Sequence, residues 1–226
     1  FELENEIGRG GKGIVYKARQ ISVDRTVAIK SIPPSNRASV NDIRRLRNEA
    51  QVLGSLRHPN IVGVTDVIEV EGNMALVMEY ADGNTVGSLL RRGGPLDEER
   101  ALVIAQQIAR ALDHAHKNGL VHRDVKPDNI IVIPNGDKER AKILDFGIAR
   151  VSDAEARETS LRTVSGMVVG TLAYMSPEQA AGGHEDVDTR SDVYALGVLG
   201  YELLSGSLPH DLEGRSFHRA VRTIIE

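Results

Sequence analysis

Residues 122–129 read His-Arg-Asp-Val-Lys-Pro-Asp-Asn, and sixteen residues after Asn129 comes Asp145-Phe146-Gly147. The first segment offers an acid (Asp124), a lysine (Lys126) and an amide (Asn129) within six residues. The second offers another acid beside a hinge glycine. Transfer of a phosphoryl group from a metal-bound nucleotide needs this equipment: a carboxylate to orient the attacking hydroxyl, a cation for the moving phosphate, and hard oxygen ligands for a divalent ion.

Two features nearer the start bear on the same chemistry. Gly8-Arg9-Gly10-Gly11-Lys12-Gly13, followed by Val15, is a glycine-rich loop whose backbone N–H groups can approach an anion closely. The same spacing marks dinucleotide-binding folds, where a helix follows the glycines. Here Ile14-Val15-Tyr16-Lys17-Ala18 reads as a strand, which favours a hairpin folded over phosphates, although a plain turn-rich hairpin reads the same. No GxxxxGK[ST] segment occurs, so a Walker-type site is excluded. Val27-Ala28-Ile29-Lys30 then places a lysine on the third expected strand.

The elements that must hold these residues follow from periodicity. Glu4 to Ile7, Ile14 to Ala18 and Thr26 to Ile32 are short strand-like runs separated by polar or glycine-rich turns. Ile68 to Val70 and Ala75 to Met78 flank Glu71-Gly72-Asn73, a hairpin signal. Ile43, Leu46, Ala50 and Leu53 recur at helical spacing, with Glu49 on the flank of that face. After Tyr80 the pattern becomes helical. Asp97 can cap a helix whose stripe is Ile104, Ile108, Ala111, Leu112 and Ala115, ending at Gly119. Ile130 to Ile133 and Ala141 to Leu144 are strands around an Asn135-Gly136 turn, and Val193 to Leu204 is a helix apolar enough to be buried on most sides. The change of pattern at Asp82-Gly83 implies two lobes with a cleft between them.

Composition narrows the class. The 226 residues contain no cysteine, which removes disulfides, cysteine-ligated zinc and thiol catalysis and makes a reducing compartment the simplest setting. No apolar run is long enough to span a membrane, and Phe1-Glu2-Leu3-Glu4 does not begin a signal peptide. A formal charge of −4 gives no reason to expect nucleic acid. Arg44, Arg45 and Arg47 read as a solvated helix face. The seven histidines lack metal-ligand spacing, and His114 and His116 read as structural or surface residues.

With its motifs in this order, the chain resembles the eukaryotic-type protein kinases over essentially its whole length, the serine/threonine class and its bacterial members in particular. The resemblance implies an α+β, bilobal protein-kinase-like fold: a β-rich N-lobe (1–81) with one regulatory helix, and a mainly helical C-lobe (82–226). ATP and Mg²⁺, with Mn²⁺ as the alternative ion, would lie between them. By the same resemblance Asp124 orients the substrate hydroxyl, Lys126 neutralises the moving phosphate, and Asn129 and Asp145 hold the metal. Lys30 takes the α/β-phosphates and pairs with Glu49, whose position is set by its distance from His58-Pro59-Asn60-Ile61-Val62. Gly8, Gly10 and Gly13 enclose the phosphates, and Ile7 belongs to the same ATP site. Val15, Ala28 and Ile131 sandwich adenine, Met78 is the gatekeeper, and Glu79 and Ala81 supply hinge backbone groups. Phe146 sets the active or inactive state, and Asp192 anchors the catalytic loop from below.

Lys126, two residues after Asp124, and Gly170-Thr171-Leu172-Ala173-Tyr174-Met175-Ser176-Pro177-Glu178 resemble the serine/threonine class, and that resemblance implies hydroxyl acceptors on proteins and a Thr171 placed to touch Asp124 and Lys126. A phosphate on Thr163 or Ser165 would pair with Arg123 and Arg150 and order the segment, through autophosphorylation between self-associating copies. Lys12 and His210 depart from the usual pattern, away from the chemistry. The implied partners are ATP and protein substrates, without nucleic acid or membrane contact in this segment, in the cytoplasm or on the cytoplasmic side of a membrane-anchored protein. The chain ends before the last helices that the resemblance implies, so it reads as a fragment that would expose apolar surface on its lower lobe. Competing readings are a nucleotide-binding pseudokinase that signals by conformation and a dinucleotide-binding oxidoreductase. Intact Lys30, Asp124, Asn129 and Asp145 speak against the first, and the strand expected after Gly13 against the second.

Overall fold

A computed structural model describes residues 1–10, 13–32, 50–70, 73–146, 172–182 and 187–226. They fall into two units, one running from Phe1 to Asp82 and the other beginning at Gly83.

The first unit is a five-stranded sheet: β1 (Glu2–Gly10), β2 (Gly13–Gln20), β3 (Arg25–Ser31), β4 (Val64–Val70) and β5 (Asn73–Glu79). Its order is β1-β2-β3-β5-β4, every neighbouring pair antiparallel. Because side chains alternate across a strand, Ala18, Val27, Ile29, Ala75 and Val77 share one face and form a buried core, with Ile68 packed against it. The opposite face carries Val15, Ala28, Lys30 and Met78, since the register pairs Lys30 with Val15 and Ala28 with Met78. β4 starts at Val64 rather than at the expected Ile68. A register shift between Val64 and Asp66, with Asp66 Oδ1 accepting from Val67 N (2.8 Å), breaks the alternation that a sequence reading relies on. Residues 50–55 are helical and bury Ala50 and Leu53. The rest of the expected helix, with Ile43, Arg44, Arg45, Leu46, Arg47 and Glu49, lies outside the described residues.

The second unit builds on helices. β6 (Asn84–Thr85) leads into α1 (Val86–Gly93), a helix the sequence reading did not anticipate, capped by Thr85 Oγ1 accepting from Ser88 N (3.1 Å). α2 (Glu98–Lys117) is capped by Asp97, and all five residues of its expected stripe are buried. β7 (Ile130–Asn135) and β8 (Lys138–Ile143) complete a sheet of order β6-β7-β8. Their turn falls at Gly136-Asp137, because Asn135 pairs with Lys138. β8 is an edge strand, and α2 covers its open backbone groups: Gln107 accepts from Ala141 N (2.9 Å) and donates to Glu139 O (3.2 Å), while Arg100 forks onto the Glu139 carboxylate at 2.7 and 2.8 Å.

α3 (Pro177–Ala180) starts with a capping box between Ser176 and Gln179. α4 (Thr189–Ser205) and α5 (Phe217–Ile225) complete the described elements. Leu172, Ala173, Leu212, Ala220 and Ile224 form a buried cluster between the segment entering α3 and α5. The expectation that α4 is buried on most sides is corrected. Ala195, Val198, Leu199 and Leu203 are buried, but Val193, Tyr201 and Leu204 are 63%, 50% and 48% exposed. Apolar composition shows that a helix can be buried, whereas packing by the described residues covers one side of this one.

Candidate active site

The loop between α2 and β7 brings Asp124, Lys126 and Asn129 together. Asp124 is buried, and Lys126 Nζ lies 3.1 Å from its Oδ1. Asn129 Nδ2 donates to Asp124 Oδ2 (3.0 Å) and to the Asp124 carbonyl (2.7 Å). A one-turn 3₁₀ helix, Pro127–Asn129, produces this geometry: the fixed φ of Pro127 starts the turn, and Asn129 N closes it onto Lys126 O at 3.0 Å. The acid, the cation and the amide are therefore one preorganised cluster.

His122 ties this loop to the segment bearing Asp145. Its ring is fully buried; Nδ1 accepts from Asp124 N (3.2 Å) and Nε2 lies 2.7 Å from Leu144 O. An Nδ1 that accepts an amide carries no proton, so the proton sits on Nε2 and is donated to Leu144 O. The Phe146 ring packs edge-on against His122 at 4.7 Å. Leu144 N in turn donates to Asn129 O (2.8 Å). Arg123 and Asp145 both have positive φ, 65° and 56°. Such a backbone costs about 1–3 kcal/mol per non-glycine residue and persists only where its surroundings over-determine it.

Those surroundings are visible at Arg123. Its N–H donates to Asp192 Oδ1 (2.7 Å) from α4, and its carbonyl accepts from Gln179 Nε2 (3.1 Å) from α3. Asp192 is 1% exposed, and its Oδ2 takes the His122 N–H (2.8 Å) and lies 2.8 Å from His116 Nε2. A carboxylate so buried needs these donors. The sequence reading placed Asp192 correctly beneath the loop, read His116 only as structural or surface, and missed Gln179. Those last two contacts join residues far apart in the chain, and no local pattern announces them.

Glu178 accepts from Ser191 Oγ at 2.6 Å. Burial opposes its charge, but the Ser191 hydroxyl and neighbouring donors hold its carboxyl below the usual range. Beside the loop, Tyr174 donates its hydroxyl to Glu202, and Arg91 Nη1 and Nη2 both reach Asp128 Oδ1 at 3.1 Å. Burial pushes the Glu202 carboxyl up; the Tyr174 hydroxyl lowers it and the Asp128 charge adds to the rise.

Asn129 and Asp145 fit a divalent cation by the chemistry of their donors. With Nδ2 turned to Asp124, Oδ1 is the Asn129 atom suited to a metal, and Asp145 brings a carboxylate on the segment joined to Asn129 through Leu144. Among the described residues no group of three or more His, Cys, Asp or Glu side chains is set to hold a metal. Two oxygen donors suit an ion such as magnesium, which keeps water and phosphate ligands of its own.

In the first unit the expected nucleotide residues gather on one sheet face. Val15, Ala28 and Met78 share the face of Lys30, which is 6% exposed. Gly8 pairs with Val15, and Gly10 with Gly13, whose φ of 122° suits a residue without a Cβ. Ile7, at a register shift in β1, is 44% exposed. Glu79 N donates to Gly63 O (2.9 Å), and Ala81 is half-buried. Ile131 lies in the second unit, half-buried on β7. The strand β2 after Gly13 stands where a dinucleotide-binding fold places a helix. Glu49, Arg150, Thr163, Ser165 and Thr171 lie outside the described residues. An open cavity of about 410 Å³, lined by Leu89, Arg92, Pro95, Leu96 and Arg100, includes none of the expected site residues.

Comparison with known proteins agrees with this arrangement. The protein kinase domain family matches residues 1–225. The chain is 40% identical over 213 residues to the serine/threonine-protein kinase pkn3 of Myxococcus xanthus, covering 93% of this chain and 38% of that protein. It is 42% identical over 213 residues to the serine/threonine-protein kinase PrkC of Bacillus subtilis (94% of this chain, 31% of that protein). To the serine/threonine-protein kinase PknB of Mycobacterium leprae it is 41% identical over 213 residues (92% and 33%). The chain thus spans about a third of the length of these relatives.

Proposed function

The chain belongs to the protein kinase domain family, and we propose that it transfers the γ-phosphate of ATP to serine and threonine hydroxyls of proteins. The supporting observation is the Asp124–Lys126–Asn129 cluster, with Asp124 and Asn129 buried, its side chains paired, and the adjoining His122 and Arg123 backbone anchored to Asp192. Degenerate copies usually lose Lys30, Asp124 or Asp145, and all three are present here.

Asp124 receives the proton of the incoming hydroxyl as its oxygen bonds to the γ-phosphorus. The bond from that phosphorus to the β–γ bridging oxygen breaks, and ADP leaves with the bond's electrons. Positioning of this kind by a general base contributes typically 10²–10⁴-fold. Lys126 lies beside Asp124, where charge on the moving phosphoryl group needs a cation. Asn129 and Asp145 would hold the metal ion, Mg²⁺ or in its place Mn²⁺, which when bound neutralises the β- and γ-phosphate oxygens. Lys30, on the sheet face with Val15, Ala28 and Met78, serves the α/β-phosphates and pairs with Glu49. Gly8, Gly10 and Gly13 approach the phosphates, with Ile7 in the same ATP site, Val15, Ala28 and Ile131 around the adenine and the Glu79 and Ala81 backbone along its edge. The kinase is one catalytic domain of two lobes, 1–81 and 82–226.

Its activity is raised by autophosphorylation between copies at Thr163 or Ser165, the phosphate pairing with Arg123 and Arg150; in this reading Thr171 would touch Asp124 and Lys126, and Phe146 sets the active or inactive state. Arg123 is exposed beside the buried Asp124, as a phosphate receptor must be. The setting is the cytoplasm, which supplies ATP, either free or on the cytoplasmic side of a membrane-anchored protein. Labelled ATP and phosphoamino-acid analysis test this reading. Label in phosphoserine and phosphothreonine is expected; label in phosphotyrosine alone, or in small molecules alone, would overturn it. Replacing Thr163 and Ser165 with alanine should abolish the activation gained on preincubation with ATP, and unchanged activation would refute the regulatory part.

A further inference from the structure

We propose that Lys17 is a positioning residue for the nucleotide: held by Glu4, its ammonium lies over the ring of Tyr80 and fixes the backbone on either side of that residue, at Glu79 and Ala81. The inference rests on the kinase reading above, in which those two backbone segments read adenine, and it names the side chain that keeps them in place.

Lys17 pairs with Ala28, so it shares the sheet face of Val15, Ala28, Lys30 and Met78. It stands toward the Glu79 end of that face, because the next register pairs join Ala28 to Met78 and Val27 to Glu79. An irregularity in β1 supplies its partner. The register passes from Leu3 opposite Ala18 to Asn5 opposite Lys17, which leaves Glu4 as the extra residue. A bulge of this kind re-aims a side chain, and Glu4 Oε2 lies 3.1 Å from Lys17 Nζ. The Glu4 carboxylate, and more weakly that of Asp82, raises the Lys17 ammonium above its ordinary value.

From there the ammonium reaches past the end of the sheet. Lys17 Nζ is 5.4 Å from the centroid of the Tyr80 ring, inside the range of about 6 Å over which a ring face attracts a cation. β5 ends at Glu79, whose N–H donates to Gly63 O (2.9 Å), so the strand ladder does not extend to Tyr80. The two peptide planes that meet at Tyr80 carry the Glu79 carbonyl and the Ala81 N–H. Adenine presents an amino donor beside a ring acceptor, and one carbonyl and one N–H match that pair only at a fixed mutual orientation. The φ and ψ of Tyr80 set the orientation, and Lys17, tied to β1 through Glu4, holds the ring of that residue.

The test is calorimetric titration of wild type, Lys17→Met and Lys17→Arg with ATP and with inorganic tripolyphosphate, each in the presence of magnesium. Lys17→Met should weaken ATP roughly two- to fivefold, the size expected of an exposed cation–ring contact, and leave tripolyphosphate unchanged. Lys17→Arg, which keeps a cation over the ring, should bind ATP as wild type does. In turnover the loss should appear in the KM for ATP with kcat retained. Tyr80→Leu should weaken ATP to the same extent, and adding Lys17→Met to it should cost nothing further. Equal ATP affinity in wild type and Lys17→Met would overturn the proposal. A parallel loss of tripolyphosphate would overturn it too, since the cation would then serve the phosphates. Absence of phosphate transfer by wild type refutes the kinase reading alone, and the titrations still decide the role of Lys17. Should wild type bind no ATP, hydrogen exchange decides it: faster exchange of the Tyr80 and Ala81 amides in Lys17→Met supports the hold, and unchanged exchange overturns it.

Discussion

Asp192 supports the catalytic loop without touching any reacting atom. Its two oxygens take the N–H groups of His122 and Arg123 and lie beside His116, and Arg123 is thereby held at a φ that few side chains adopt. Removing the carboxylate leaves two backbone donors without it, at about 1–3 kcal/mol each, and releases the strain at Arg123. Asp192→Ala should therefore lower the unfolding midpoint and reduce kcat more than the KM for ATP, with Asp192→Asn recovering part of both. Stability lost with kcat unchanged would show that the anchor serves folding alone. Asp124, Lys126 and Asn129 were legible because their chemistry is compressed into six residues. The partner of His116 and the role of Gln179 were not, because they depend on α2, α3 and α4 meeting at one loop.

Elements with strong local signals were read correctly: α2 with its cap and stripe, and the strands around the glycine-rich turn. α1 and α5 escaped, being short helices whose buried sides are few, Val86 and Gly87 in one and Ala220 and Ile224 in the other. α4 was identified but over-buried. Leu199→Ala on its packed side should cost about 2–5 kcal/mol, whereas Val193→Ser on its exposed side should stay within about 0.5 kcal/mol. Similar losses from both in denaturant melts would refute this division of the helix.

Glu202, on the same helix, gives a pH signature. Burial places its folded-state pKa above its unfolded one, so its contribution is fully present below the unfolded pKa and is lost as pH rises through the folded value. Glu202→Gln keeps an acceptor for Tyr174 and escapes that loss. Its stability relative to wild type should rise with pH from the ordinary glutamate range, about 4.3, and then level off. A stability difference that does not vary with pH would contradict the burial argument.

For the whole molecule, the sequence indicated strands first and helices after, and the structure realises them as two units with separate cores, the sheet core around Val27 and Val77 and the helical cluster around Leu172 and Ile224. The chemistry is distributed in the same way, with the Lys30 face in one unit and the Asp124 cluster in the other. Periodicity could not foresee how tightly His122, with its ring nitrogens and Phe146, binds the two halves of the Asp124 cluster together. The most direct test is transfer of labelled phosphate from ATP with magnesium to the chain itself and to an acidic and a basic acceptor protein, beside Asp124→Asn. That substitution keeps the size of the side chain and removes the carboxylate's basicity. Incorporation that falls by about 10²-fold or more in Asp124→Asn is the expected result. Equal incorporation by both proteins would contradict the assignment of Asp124 and the phosphoryl-transfer reading built on it.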